Sequence, residues 1–144
     1  MQKRINQHPT ISGGIYFTNN TTPMIVGNDW IPLNINFSEL IYPNLYFTLE
    51  NNKLKYLKGK SILNCNIAWS MSIKSESSFA VRLINGRVIS EIKDEALITK
   101  VIGSKSNQKI LLNESFGIEI SSEVNQEILV SSAFIVISEW KNDY

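Results

Sequence analysis

Residues 61–73 alternate strictly between apolar and polar side chains. Leu63, Cys65, Ile67, Trp69, Met71 and Ile73 fall on one face; Asn64, Asn66, Ala68, Ser70 and Ser72 fall on the other. A period of two is the signature of a strand with one face in a core. The polar stretch 74–78 predicts a turn. Residues 79–84 predict a second strand, with Phe79, Val81 and Leu83 on one side. Asn85-Gly86 then reads as a two-residue type I′ hairpin turn, since both residues tolerate positive φ, and residues 87–92 pair back. Further strands are expected at 97–102, closed by Gly103-Ser104, at 109–112, and at 116–121 with Phe116, Ile118 and Ile120 inward. A tight turn at 124–126 leads into a long last strand, 128–140.

Upstream, residues 45–49 and 53–56 flank Glu50-Asn51-Asn52 as a hairpin. Residues 15–17 and 24–26 are shorter candidates, interrupted by Pro23 and Pro32. Apolar spacing of the i, i+3, i+4, i+7 kind is absent, and alanine occurs only at Ala68, Ala80, Ala96 and Ala133. That usage favours strands and turns over helices. Eight or more short strands with turn signals between them predict an all-β fold, an antiparallel sandwich or jelly roll. Residues 1–12 are polar, and read either as an attachment arm or as a loose terminus.

The last strand breaks the simple pattern. Val130, Ala133, Ile135 and Ile137 share a core face only if the register slips near Ser131-Ser132, and Phe134 and Val136 then point the other way. A solvated sheet face should be polar, and this one is not. Either another segment of the chain covers it, or another subunit does.

Composition narrows the function classes. The 144 residues are 43% hydrophobic and 19% charged, enough for one domain with a sizeable core. Fourteen basic and thirteen acidic residues leave a net charge of +1, which argues against an electrostatic nucleic-acid partner. No run of eighteen apolar residues spans a membrane. No apolar stretch follows Met1-Gln2-Lys3-Arg4, so no secretory signal peptide is expected and the Asn-x-Ser/Thr sequons at Asn20, Asn36 and Asn113 should stay unmodified. Cys65 and His8 are the only residues of their kinds. A disulfide, a cysteine metal site or a His-dependent nucleophile would therefore have little to work with.

Residues 52–140 resemble the C1q/TNF-like jelly-roll head of bacteriophage and other viral structural proteins, the trimeric fibres and spikes. The signals occur in order. Asn52-Lys53-Leu54-Lys55-Tyr56 with Gly59 resembles that family's N-x-L-x-Y-x-G opening, and residues 62–72 resemble its long alternating strand. Residues 81–86 resemble its V-x-L-x-N-G hairpin, residues 112–120 its L-x-x-G-D-x-I-x-L strand, and residues 128–137 its I-x-V-x-x-A-x-L-x-I ending. Ser115-Phe116 stands where the family has Gly-Asp. The resemblance implies a sandwich of eight to ten strands that forms a homotrimer. It implies a head domain over residues 44–144, preceded by residues 1–43 as an attachment arm or as added edge strands. It places Ala68, Ser70, Phe134 and Val136 at the threefold contact, with small residues near the axis; Tyr46, ahead of the matched stretch, is a further candidate for that contact. Asn64 and Asn66 share that face, either as polar rings or as a plain solvated surface.

Candidate chemistry is sparse. Glu91, Asp94 and Glu95 form the one acidic cluster, which lacks the Asp/Asn/Gly ladder of a calcium loop and reads as a solvated turn. Gly13-Gly14 is only a pair, not a phosphate loop. Lys53, Lys55, Lys58 and Lys60 form a basic stripe that either meets an acidic surface or guards a strand edge. Loops at 75–78, 92–96 and 103–108 are candidate binding loops. Trp30, beside Asp29, is the tryptophan placed to contact a ligand; otherwise it packs under the N-terminal segment. The expectation is a virion structural protein without enzymatic activity or cofactor: a trimeric capsid-decoration, head-fibre, spike or tail-fibre head. Its partners would be copies of itself and other virion or capsid proteins. It would be made in the host cytoplasm and displayed on the virion surface. The alternative is a receptor- or glycan-binding jelly-roll module.

Overall fold

The computed structural model describes residues 6–39, 46–86, 88–94 and 100–143. All the described regular structure is strand: β1 (Asn6–Phe17), β2 (Met24–Val26), β3 (Ile31–Pro32), β4 (Ser38–Glu39), β5 (Phe47–Glu50), β6 (Lys53–Tyr56), β7 (Ile62–Lys74), β8 (Phe79–Ile84), β9 (Val88–Asp94), β10 (Lys100–Leu111), β11 (Ser115–Ser122) and β12 (Gln126–Asp143). They form an antiparallel sandwich of two six-stranded sheets. The first runs β10-β7-β12-β1-β4, with β2 on the start of β12; the second runs β5-β6-β11-β8-β9, with β3 on β11. The count of twelve exceeds the eight to ten expected because β2, β3 and β4 are two- and three-residue pieces between proline and asparagine interruptions.

The alternation of β7 is realised in full. Leu63, Cys65, Ile67, Trp69, Met71 and Ile73 are all buried, together with Phe116, Ile118 and Ile120 of β11 and Val81 and Leu83 of β8. On β12 the register shifts between Val130 and Ser132, so Val130, Ala133, Ile135 and Ile137 all reach the core. A bulge adds one residue to one strand and restores the inward parity after it.

Four local readings are corrected. Residues 6–12 are not loose: β1 pairs with β12 from Asn6↔Asp143 to Phe17↔Ala133. Gly103-Ser104 does not end a strand, and 103–108 is not a loop, because β10 pairs without interruption with β7 from Lys100↔Ile73 to Leu111↔Ile62. Its middle lacks apolar residues because only Ile102 and Ile110 of this edge strand reach the core; the ladder to β7 holds it extended. The β8–β9 connection is longer than a two-residue turn. Ile84 pairs with Val88, the register shifts there, and of Asn85 and Gly86 only Gly86 has positive φ (94°). The type I′ turn sits instead at Asn51-Asn52, both at positive φ (52° and 59°) and closed by the Glu50↔Lys53 pair. Finally, the lysine stripe guards no edge, since β6 lies between β5 and β11.

Asn52 also accepts a hydrogen bond from the Phe37 amide at 3.1 Å, tying the turn to the N-terminal segment. Asn52→Ala places a Cβ residue without a local hydrogen bond in the left-handed region and removes that contact. Urea denaturation should show a loss of about 2 kcal/mol.

The expected division at residues 43/44 falls at 40–45, outside the described residues. On the earlier side of it, β1 and β4 are built into the first sheet and β3 into the second. The open ends of the sandwich are tied by side chains. The Thr48 hydroxyl and Leu49 amide donate to Glu39 Oε1 at 3.0 and 2.6 Å, and the Ser90 and Ser104 hydroxyls meet at 3.0 Å.

Cys65 is buried on β7, and burial first, then the carboxylate of Glu139, pushes its thiol up to about 12 from 9.0. A pKa raised in the folded state means stability is complete below the ordinary thiol value. It falls as pH rises from about 9 towards 12, where only the unfolded thiol ionises. An aromatic disulfide reagent at pH 8 should therefore leave the native thiol unmodified and react rapidly once the chain is unfolded.

Candidate functional site

The outer face of the first sheet gathers four of the five residues assigned to a subunit contact. Phe134 stands opposite Ser70, and Val136 opposite Ala68, across the β12–β7 ladder. Gly103 and Lys105 of β10 continue the two rows beyond β7. These residues line an open depression of about 510 Å³ whose described lining comes only from β7, β10 and β12. No other described segment of the chain covers it. The depression exists because Ala68, Ser70 and Gly103 are small and flank the larger Phe134 and Val136.

Sequence reading missed Tyr16. It pairs with Phe134 across β1 and β12, and the rings stack with centroids 6.4 Å apart and planes 13° from parallel. The signal was present: Ile15 and Phe17 are buried, so an aromatic at 16 gives β1 the same two-sided character as β12. Around this centre, Ile11, Ile62, Val101 and Leu111 are exposed large hydrophobics of the same sheet, Val101 at 77%. Their ladder partners place them on the outward parity: Ile11 opposite Ser138, Val101 opposite Ser72, and Ile62 opposite Leu111. Lys105, Asn64 and Asn107 are exposed and interleave polar groups among them. Asn66 is half-buried on the same parity as Asn64.

Tyr46 does not join this face. Its carbonyl accepts hydrogen bonds from the Leu57 and Lys58 amides at 2.7 and 3.3 Å, which places it at the β5–β6 end of the second sheet. Physically, its parity with Phe47 says nothing about which sheet carries it.

Trp30 lies over the outer face of the second sheet. The Arg82 guanidinium sits 4.1 Å from the centroid of its ring system, and the same guanidinium is held by Glu119, at 2.7 Å from Nη2 and 2.8 Å from Nε. Trp30 therefore packs on β8 and β11, not under β1. Glu91 is exposed on β9, Glu95 lies outside the described residues, and no group of three His, Cys, Asp or Glu side chains among the described residues converges on a metal position. One buried carboxylate also escaped the sequence reading. Glu139 continues the inward parity of β12, and the Ser12 hydroxyl, at the β1 bulge, donates to its Oε2 at 2.6 Å.

No described helix is long and apolar enough to cross a membrane. No protein-family model matches the chain, and no curated protein matches it. Among solved structures, the chain is similar to the coat protein of Tobacco streak virus, with 11% identity and a TM-score of 0.38 over 93% of this chain and 87% of that one.

Proposed function

We propose that this chain is a non-enzymatic virion structural subunit. It forms a homotrimer through the outer face of the first sheet and attaches to a larger particle made of other virion proteins. The observation that carries this reading is the pair of adjacent cross-strand rows, Tyr16 with Phe134 and Val136 with Ala68, on a sheet face that no other described segment covers. An antiparallel sheet that faces water on one side keeps that side polar; here the centre is aromatic and aliphatic, and Ile11, Ile62, Val101 and Leu111 extend the apolar surface between Lys105, Asn64 and Asn107. A contiguous apolar surface of this kind, edged with polar groups, marks a protein interaction site. The ordered motifs at 52–59, 81–86 and 128–137 support the trimeric, C1q/TNF-like form of the assembly and a place on the virion surface.

Burial of apolar area contributes roughly 25 cal/mol per Å², and a small domain has limited core of its own, so assembly adds substantially to stability. Light scattering behind a sizing column tests the reading. The expected mass is three times the 16.3 kDa of one chain; a single-chain mass at micromolar concentration overturns it.

A further inference from the structure

We propose that the depression beside Trp30, on the sheet opposite the assembly face, is a binding groove for neutral saccharides. Its shape follows from the register. Across β9, β8 and β11 one row reads Glu91, Arg82, Glu119, and the next reads Lys93, Ala80, Ser121. The long side chains of the first row stand up from the sheet. The short ones of the second, Ala80 and Ser121, leave a floor. Trp30 approaches from the β3 side, because Ile31 pairs with Ile120 of β11. Glu91 and Lys93 rise on the β9 side. The space between is about 580 Å³, within the range of small-ligand sites and ample for one or two sugar rings.

The chemistry of the groove selects the ligand class. A sugar ring has an apolar face of C–H groups that packs on an aromatic surface, and an edge of hydroxyls that both donate and accept. Trp30 supplies the aromatic surface and is half-buried, so part of it remains accessible. Its orientation is set beforehand: Arg82 lies over the ring and is itself anchored by two contacts to Glu119. An aromatic wall that is already fixed loses little side-chain freedom on binding. The Ser121 hydroxyl, the Glu91 carboxylate and the Lys93 ammonium offer acceptors and donors around it. Two exposed carboxylates, Glu91 and Glu123, outnumber the single ammonium of Lys93 at the rim. That balance disfavours phosphorylated, sulfated or sialylated ligands, and with them nucleic acid. Assembly through the first sheet would leave this groove free on every subunit, so binding would be multivalent.

A printed array of neutral and anionic glycans, probed with the fluorescently labelled full chain, tests the proposal. Retention on a set of neutral glycans is expected. Trp30→Ala should lower it by about tenfold, the scale of one lost aromatic contact, whereas Trp30→Phe should keep most of it. Light scattering on each variant should show the wild-type mass, which separates loss of the groove from loss of assembly. No retention on any glycan, retention on anionic glycans alone, or retention indifferent to Trp30→Ala overturns the proposal. Displacement of all signal by a basic peptide, with no saccharide competing, overturns it in favour of a peptide site.

Discussion

Phe134→Glu is expected to convert the proposed trimer to single chains, read as a threefold drop in mass by light scattering. Phe134 lies at the centre of the outer face, stacked on Tyr16 and opposite Ser70. Fully burying a phenylalanine contributes about 1.5–3 kcal/mol, and a trimer buries three. A carboxylate there loses that contribution and must also be desolvated without a partner, which costs several kcal/mol more. Three carboxylates brought together near an axis would repel as well. The fold itself should survive, since Phe134 points away from the core that Ala133 and Ile135 fill, so circular dichroism should remain that of a β protein. A Phe134→Glu variant that keeps the full mass would sink the assigned interface. Lys105→Glu makes a useful control: it lies on the exposed rim of the same depression, and rim charges alter affinity far less than buried centres.

Trp69→Ala is expected to give the largest loss of stability of any single substitution considered, about 3–5 kcal/mol. In a chain of this size that is roughly 10 °C or more in Tm, compared at fixed protein concentration because the proposed assembly would couple to unfolding. Trp69 is 2% exposed at the middle of β7, and it is among the largest fully buried side chains. Trp69→Phe should behave quite differently. The indole Nε1–H has no hydrogen-bond partner among the described residues, and an unpaired buried donor costs about 1–3 kcal/mol. Phenylalanine leaves a smaller cavity than alanine and removes the orphaned donor, so the two effects oppose. A change within about 1 kcal/mol of wild type is expected from thermal or urea melts. An equal loss for both variants would show that the indole N–H is satisfied after all, for example by a buried water.

Residue parity was the most readable layer of this protein. Leu63 to Ile73, Phe116 to Ile120 and the inward set of β12 follow directly from alternation, because side-chain direction in a strand depends on nothing beyond the neighbouring residue. Even the slip near Ser131-Ser132 was legible, since two apolar runs of opposite parity within one strand require a bulge between them. What failed were features that depend on a distant partner. The residues 103–108 carry loop-like composition, yet they lie extended because β7 offers an unbroken ladder. Asn85-Gly86 has the better turn composition, but Asn51-Asn52 takes the two-residue turn because its flanking strands arrive in register.

The chain's sequence by itself therefore determined an all-β fold, most inward-facing residues and the existence of a second apolar face on the last strand. These rest on local periodicity and on the scarcity of alanine. Only the tertiary structure decided which residues share that face. Tyr16 meets Phe134 across 118 positions of chain, and Ser12 meets Glu139 across 127. Arg82 reaches Trp30 because β3 and β8 both pair with β11. Such meetings are set by strand order and register, and these emerge only when the two sheets close over their common core. A period of two tells each residue which side to face, but not which sheet it faces from.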